Sequence, residues 1–149
     1  MQNSSTMKLV IYTDGGSRGN PGPAAIGVVI QNEDRETIKK YGEAIGEKTN
    51  NEAEYQAVIF ALKKVKQLLG KEKVKEMPLE IRMDSELVAS QLNHQYKIME
   101  PNIQQLFLQI WNLMIGFGPI KFVAVPRAQN KEADRLVNEA LDKKQAGLF

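Results

Sequence analysis

The sequence predicts an α/β domain in which one mixed, five-stranded sheet carries helices on both faces. Three observations lead there. Three runs of β-formers separated by turn residues open the chain. From Asn50 the apolar residues step by three and four instead of two. Two later β-like runs are each followed by a helical pattern.

The elements follow in order. "KLVIYT" (Lys8–Thr13) alternates well enough for a strand and contains no breaker, and "AAIGVVIQ" (Ala24–Gln31) is a second strand. "NEDR" turns the chain, so "ETIKKYGEAIG" (Glu36–Gly46) returns as a third, antiparallel strand. Tyr55, Val58, Leu62, Val65 and Leu69 form one stripe of a long amphipathic helix that stops near Gly70 and is capped by Thr49, Asn50 or Asn51. "KEKVKEMP" is a polar connector. Pro78 then opens the strand "LEIRMD", with Leu79, Ile81 and Met83 on one face, and "SELVASQL" follows as a short helix. Pro101 suits the first turn of a further helix, whose buried stripe is Ile103, Leu106, Ile110 and Leu113 or Met114; "GFGP" ends it. "IKFVAV" is the fifth strand, and "QNKEADRLVNEALDKK" is a closing helix with Ala133, Val137, Ala140 and Leu141 inward. The first three strands are thus antiparallel, and the fourth and fifth are parallel.

Composition narrows the class. The 149 residues are 42% hydrophobic, enough for one domain with its own core across residues 8–149, behind a disordered leader of residues 1–7. The chain has no cysteine, which excludes a disulfide framework and a thiolate metal site and suits a reducing cytoplasm. The apolar run after Lys8 is cut off by Asp14 and Arg18, too soon for a signal segment or a membrane span. A soluble, cytoplasmic monomer with no membrane partner is the expectation. A net charge of +2 is too mild to indicate a nucleic-acid partner by itself.

The chemistry lies in the acids. In "YTDGGSRGNPGP", Asp14 follows a run of β-formers and precedes four glycines and two prolines. A phosphate loop is excluded, because the stretch has no Lys, lacks G-x-G-x-x-G, and leads into a strand instead of a helix. A tight hairpin alone would explain the glycines and prolines. Asp14 has company, however. Asp84 ends the fourth strand, Glu52 and Glu54 lie in the first turn of the long helix, and Glu132 and Asp134 lie in the first turn of the last. Helix N-termini favour acids through their dipole, whereas strand ends are mostly apolar. Gathered at one rim, such acids make an anionic pocket that repels itself unless a cation sits within it. Oxygen ligands without His or Cys point to Mg²⁺ or Mn²⁺.

"YTDGGSRGNPGPAAIG", "TNNEAEYQA", "MDSELV" and "VPRAQNKEADRLVNEA", in this order and spacing, resemble the type 1 ribonuclease H family from Lys8 to Leu141. The resemblance implies the ribonuclease H-like fold and an endonuclease that cuts the RNA strand of RNA–DNA hybrids with two Mg²⁺ ions, Mn²⁺ substituting, to leave 5′-phosphate and 3′-hydroxyl ends. It places the catalytic, metal-binding carboxylates on Asp14, Glu54, Asp84 and Asp134, and selects Glu54 over Glu52 because the family's helix acid comes three residues after the second Asn of "TNN". Gly15 and Gly16 leave room for the substrate backbone. By resemblance, Asn20, Asn50 and Asn51 contact the minor groove and its 2′-hydroxyls, and Thr49 holds a DNA-strand phosphate. Many relatives carry a loop His before the last Asp. Here Arg127 occupies that region as an auxiliary residue, and the lone His94 reads as structural or solvent-facing. The chain also lacks the basic insertion with which some relatives grip the hybrid, and the lysines of the long helix read as a solvated face. The alternatives are a non-catalytic hybrid-binding module and another nuclease or strand transferase of the same fold.

Overall fold

The computed structural model describes residues 7–147. The expected leader falls on residues 1–6, outside the described residues, except for Met7, which is exposed. The strands are β1 (Leu9–Ser17), β2 (Gly22–Gln31), β3 (Thr37–Lys48), β4 (Leu79–Met83) and β5 (Ile120–Ala124). The helices are α1 (Asn50–Leu69), α2 (Lys71–Val74), α3 (Glu86–Leu92), α4 (Pro101–Met114) and α5 (Lys131–Ala146), with one 3-10 turn at Arg127–Gln129. The five strands lie in the order β3-β2-β1-β4-β5, antiparallel among β1, β2 and β3 and parallel from β1 through β4 to β5.

Both faces of the sheet are covered, which explains why β2 reads as an unbroken apolar run: every residue from Ala24 to Ile30 is buried. On one face α1 packs with α3 and α4 over Leu9, Ile11, Ile26, Val28, Ile30 and Ile81. On the other, α5 lies over β1, β2 and β3, with Ala133, Leu136, Val137, Ala140 and Leu141 inward. No helix among the described residues is long and apolar enough to cross a membrane.

Four elements differ from the sequence expectation. β1 runs on to Ser17 and β2 starts at Gly22, so the glycine-rich stretch is mostly paired strand: Gly15, Gly16 and Ser17 face Ile26, Ala25 and Ala24. β3 likewise extends to Lys48, where it faces Gly22. The polar connector contains the short α2, which follows Gly70 (φ 88°). Glycine has low strand propensity, but ladder pairing with a buried neighbour overrides it.

Two of those glycines are required by packing. A Cβ on Gly27 would fall inside the contact shell of the Ala133 carbonyl oxygen, so α5 can approach β2 only over a residue with no side chain. Gly15 stands in the same relation to the Ala53 carbonyl in α1. Gly27→Ala is expected to destabilise the fold by about 1–3 kcal/mol or more through overpacking, read as a fall in the urea midpoint.

Candidate active site

Strand register assembles the first half of the site. β1 and β4 pair in parallel only as far as Tyr12 with Arg82. Asp14 and Asp84 each lie two residues beyond that last pair. With a side-chain period of two, they project from the same face at adjacent positions, where no ladder partner lies between them. Asp14 itself is still inside β1, facing Gly27 across the β2 ladder, and is 7% exposed. It is therefore an acid within a strand, not one beyond a strand end.

The helices supply the rest. Thr49 caps α1 with a full capping box: its hydroxyl accepts from the Glu52 N–H (3.2 Å), and Glu52 Oε1 accepts from the Thr49 N–H (2.8 Å). The next acid along, Glu54, turns toward β1, and its Oε1 accepts from the Gly15 N–H at 3.3 Å. On the opposite face, Asp134 comes from the first turn of α5, close enough to Asp14 for its charge to act on that carboxyl. Asn130 sets that turn. Its side-chain amide donates to the Thr13 carbonyl (2.9 Å), one residue before Asp14, and its own carbonyl accepts from the Asp134 N–H (3.1 Å).

Asp14, Glu54 and Asp84 bring one carboxylate oxygen each within 4.8 Å of one another. Asp134 stands outside that trio and joins it through Asp14. All four line a cleft of about 470 Å³, shared with Gly16, Asn50 and the two cations Arg18 and Arg127. Burial, then the charges of Asp84 and Asp134, push the Asp14 carboxyl up to about 8. Burial and the charges of Asp14 and Asp84 push Glu54 well above the usual range as well, opposed by the Gly15 N–H and by Arg127. Three close carboxylates, Asp14 buried and Glu54 and Asp84 half-buried, with oxygen donors only, are a donor set suited to a hard divalent cation.

That arrangement has a consequence for stability. A carboxyl held near 8 in the fold but near 3.8 when unfolded keeps its proton in the native state between those values, so the folded protein binds more protons there. Stability contributed by this group is full below about pH 4 and lost as pH rises through about 8. Metal-free protein should therefore melt at lower temperature at pH 8.5 than at pH 6, and Mg²⁺ should recover most of the difference at pH 8.5, as measured by thermal denaturation with and without EDTA.

The remaining candidates divide. Asn50 lines the cleft, and its Oδ1 accepts from the Ser17 N–H at 2.9 Å, while Asn20 Oδ1 accepts from the Asn50 N–H at 2.9 Å. Thr49 and Asn51 flank Asn50 at the start of α1. Glu52 is fully engaged elsewhere, since its second oxygen accepts from Asn102 in α4 at 2.8 Å. Glu132 is tied to Lys40 (3.1 Å) and Arg135 (2.9 Å) on the outer side of α5. His94 lies at the end of α3, away from the cleft, and stacks on Trp111 with ring centroids 6.0 Å apart. Two contributors escaped the sequence reading, Arg18 and Asn130. Arg18 was legible in principle, because it lies four residues after Asp14 in strand period.

A five-stranded mixed sheet that gathers carboxylates from β1, from just past β4 and from near the N-termini of two helices on opposite faces defines the ribonuclease H-like class of proteins. Residues 12–140 match the family model described as "Reverse transcriptase-like". The chain belongs to this family, and within it to the type 1 ribonucleases H. It is 42% identical over 137 residues to a bifunctional protein of Mycobacterium tuberculosis, covering 91% of this chain and 36% of that protein. It is 41% identical over 131 residues to ribonuclease HI of Halobacterium salinarum, covering 88% of this chain and 63% of that one. The chain thus spans from about a third to just under two thirds of the length of these curated relatives. Among solved structures, LC11-RNase H1 isolated from compost superposes with a TM-score of 0.87 at 47% identity, over 93% of this chain and 98% of that one. The same enzyme in complex with an RNA/DNA hybrid superposes at 0.88 with 45% identity, over 93% and 99%.

Proposed function

We propose that this chain is a ribonuclease H, an endonuclease that hydrolyses the RNA strand of RNA–DNA hybrids. The observation that carries the reading is the Asp14–Glu54–Asp84 trio, with Asp134 lining the same open cleft. Two Mg²⁺ ions, or Mn²⁺ in their place, would when bound polarise the phosphoryl oxygens and activate water for an in-line displacement that leaves 5′-phosphate and 3′-hydroxyl ends.

The chain's own residues do the rest. Asp14, the least exposed of the four, would hold both ions, Glu54 and Asp84 would serve the leaving-group side, and Asp134 would serve the water side. The Gly15 N–H fixes the Glu54 carboxylate, and Asn130 fixes the turn that presents Asp134. Asn20 Oδ1 accepts from the Asn50 N–H, and Asn50 Oδ1 accepts from Ser17, so it is the side-chain NH2 groups of Asn20 and Asn50 that would reach the minor groove, where 2′-hydroxyls mark RNA, with Asn51 beside them. Thr49, whose hydroxyl accepts within the cap, keeps its O–H to donate to a DNA-strand phosphate. Gly15 and Gly16 leave the approach to Asp14 free of side chains. A monomer acting in the cytoplasm is the setting we infer for this activity, consistent with the absence of cysteine.

A non-catalytic binding module is the weaker reading, because it would keep four mutually repelling acids without using them. The deciding experiment is a gel with end-labelled RNA–DNA, RNA–RNA and DNA–DNA duplexes, with and without Mg²⁺. Mg²⁺-dependent cutting of the RNA strand of the hybrid supports the reading, and an intact hybrid overturns it.

Arg127 faces Glu54 across the cleft, where a guanidinium suits phosphate contact. Arg127→Ala should slow turnover several-fold without abolishing it, whereas His94→Ala should leave it nearly unchanged. Steady-state rates on one hybrid in Mg²⁺ check both.

A further inference from the structure

Besides Arg127 the cleft holds a second cation, Arg18, to which the resemblance assigns no role. Strand period places Asp14, Gly16 and Arg18 on one face of the chain, so Arg18 follows the central carboxylate with only a glycine between them. Packing does not require that glycine. A Cβ at Gly16 would meet only Val137 Cγ1, at an ordinary 3.7 Å. The passage from Asp14 to Arg18 is therefore open where the fold would accept a side chain.

Arg18 is also held in place. Its guanidinium donates to Gln145 Oε1 (3.0 Å) and to the Asn138 carbonyl and Oδ1 (both 3.4 Å), and pairs with Asp142 Oδ1 (2.8 Å). Its backbone N–H donates to the Pro23 carbonyl (2.8 Å), which closes the β1–β2 turn beneath it. Beyond it lies a second, apolar hollow lined by Pro23, Ala44, Gly46 and Leu141, so Arg18 and Leu141 form the ridge between that hollow and the acidic cleft. Lys144 stands on the far rim. Arg18 thus lines both the acidic cleft, which it shares with Arg127, and the second hollow, which it shares with Lys144 and Glu47.

We propose that Arg18 binds a phosphate flanking the scissile one, so that the substrate strand runs from the carboxylates over Gly16 and onto the Arg18 ridge. The inference rests on the hybrid-cleaving reading above. Asp142 is the resting partner of Arg18. Its side chain is 69% exposed, and a solvent-screened pair of that kind yields readily to a phosphate, whose oxygens match the guanidinium fork. Arg18 touches no reacting atom, so it is a binding residue.

The rival explanation is that Arg18 only ties α5 to the β1–β2 turn. Asp142→Asn separates the two, because it removes the charged member of the same tie while leaving the cation. Hybrid binding is measured by anisotropy across a KCl series in an Asp14→Asn background, and steady-state cleavage in the otherwise native protein. Arg18→Ala should weaken binding by on the order of tenfold and lower the salt slope by about one ion, with KM rising more than kcat falls. Arg18→Lys should restore the slope but only part of the affinity. Asp142→Asn should tighten binding, and lose that effect once Arg18 is Ala. Unchanged affinity and slope in Arg18→Ala, or equal weakening by Asp142→Asn, overturns the assignment. If the native protein neither binds nor cuts hybrid, the functional reading falls and this inference with it. If it cuts hybrid and Arg18→Ala matches it, this inference alone falls.

Discussion

Asp14→Asn is expected to reduce hybrid cleavage to background while making the metal-free protein more stable at pH 8.5. Both effects have one cause. Asp14 is the member of the cluster nearest the other three, and burial together with Asp84 and Asp134 already pushes its carboxyl up to about 8. An amide of the same shape removes the charge that ions need as a bridge and also the charge that the apo fold must suppress. The pH dependence of melting expected for the native protein should flatten in this variant, since the group responsible no longer titrates. Calorimetry at pH 6 and 8.5 in EDTA, beside a cleavage assay in Mg²⁺, reads both halves. Near-native cleavage would remove Asp14 from the site, and an unchanged pH dependence of melting would show that another group carries the strain.

Glu54→Gln and Glu52→Gln should differ far more than two residues of separation suggests. Glu54→Gln is expected to cut the rate by more than about a hundredfold, beyond the scale on which even indirect partners of metal ligands count. Its carboxylate lies with Asp14 and Asp84 in the trio, held by the Gly15 N–H. Glu52→Gln should be close to silent in activity, because a glutamine keeps the oxygen that accepts from Thr49 and so preserves the capping box. Initial rates for the pair on one hybrid are sufficient, and a reversed result would reassign the helix acid.

Much of this site was readable along the chain. The four motif acids line one cleft, and Arg127, singled out by the departure from the loop-His pattern, lines it too, with its charge acting on Glu54. The cap of α1 was narrowed to three residues, and the structure selects Thr49 because only its hydroxyl accepts from Glu52. What was misread is the stretch after Thr13. Glycine and proline signal a turn, and the pairing of Gly15, Gly16 and Ser17 with β2 depends on partners that local propensity does not see. Ending the strand too early also hid Arg18, whose place beside the cleft follows from strand period only if the strand continues. Asn130 was read only as part of the closing helix, since its bond to Thr13 spans 117 positions.

The sequence by itself determined the order of elements, the switch from period two to period 3.6 at Asn50, and which acids belong to the family's motifs. Each of these is written within a few consecutive residues, as alternation, as a cap or as a fixed spacing. Only the tertiary structure decided what those acids do to one another. Register between strands 70 residues apart stops the β1–β4 ladder at Tyr12 and Arg82 and thereby sets Asp14 beside Asp84. Helix approach over bare glycine backbone brings Ala53 and Ala133 against the sheet, and with them Glu54 and Asp134 to its rim. Burial then raises the proton affinity of Asp14 and Glu54, and desolvation is a property of the packed whole that no local window of sequence contains.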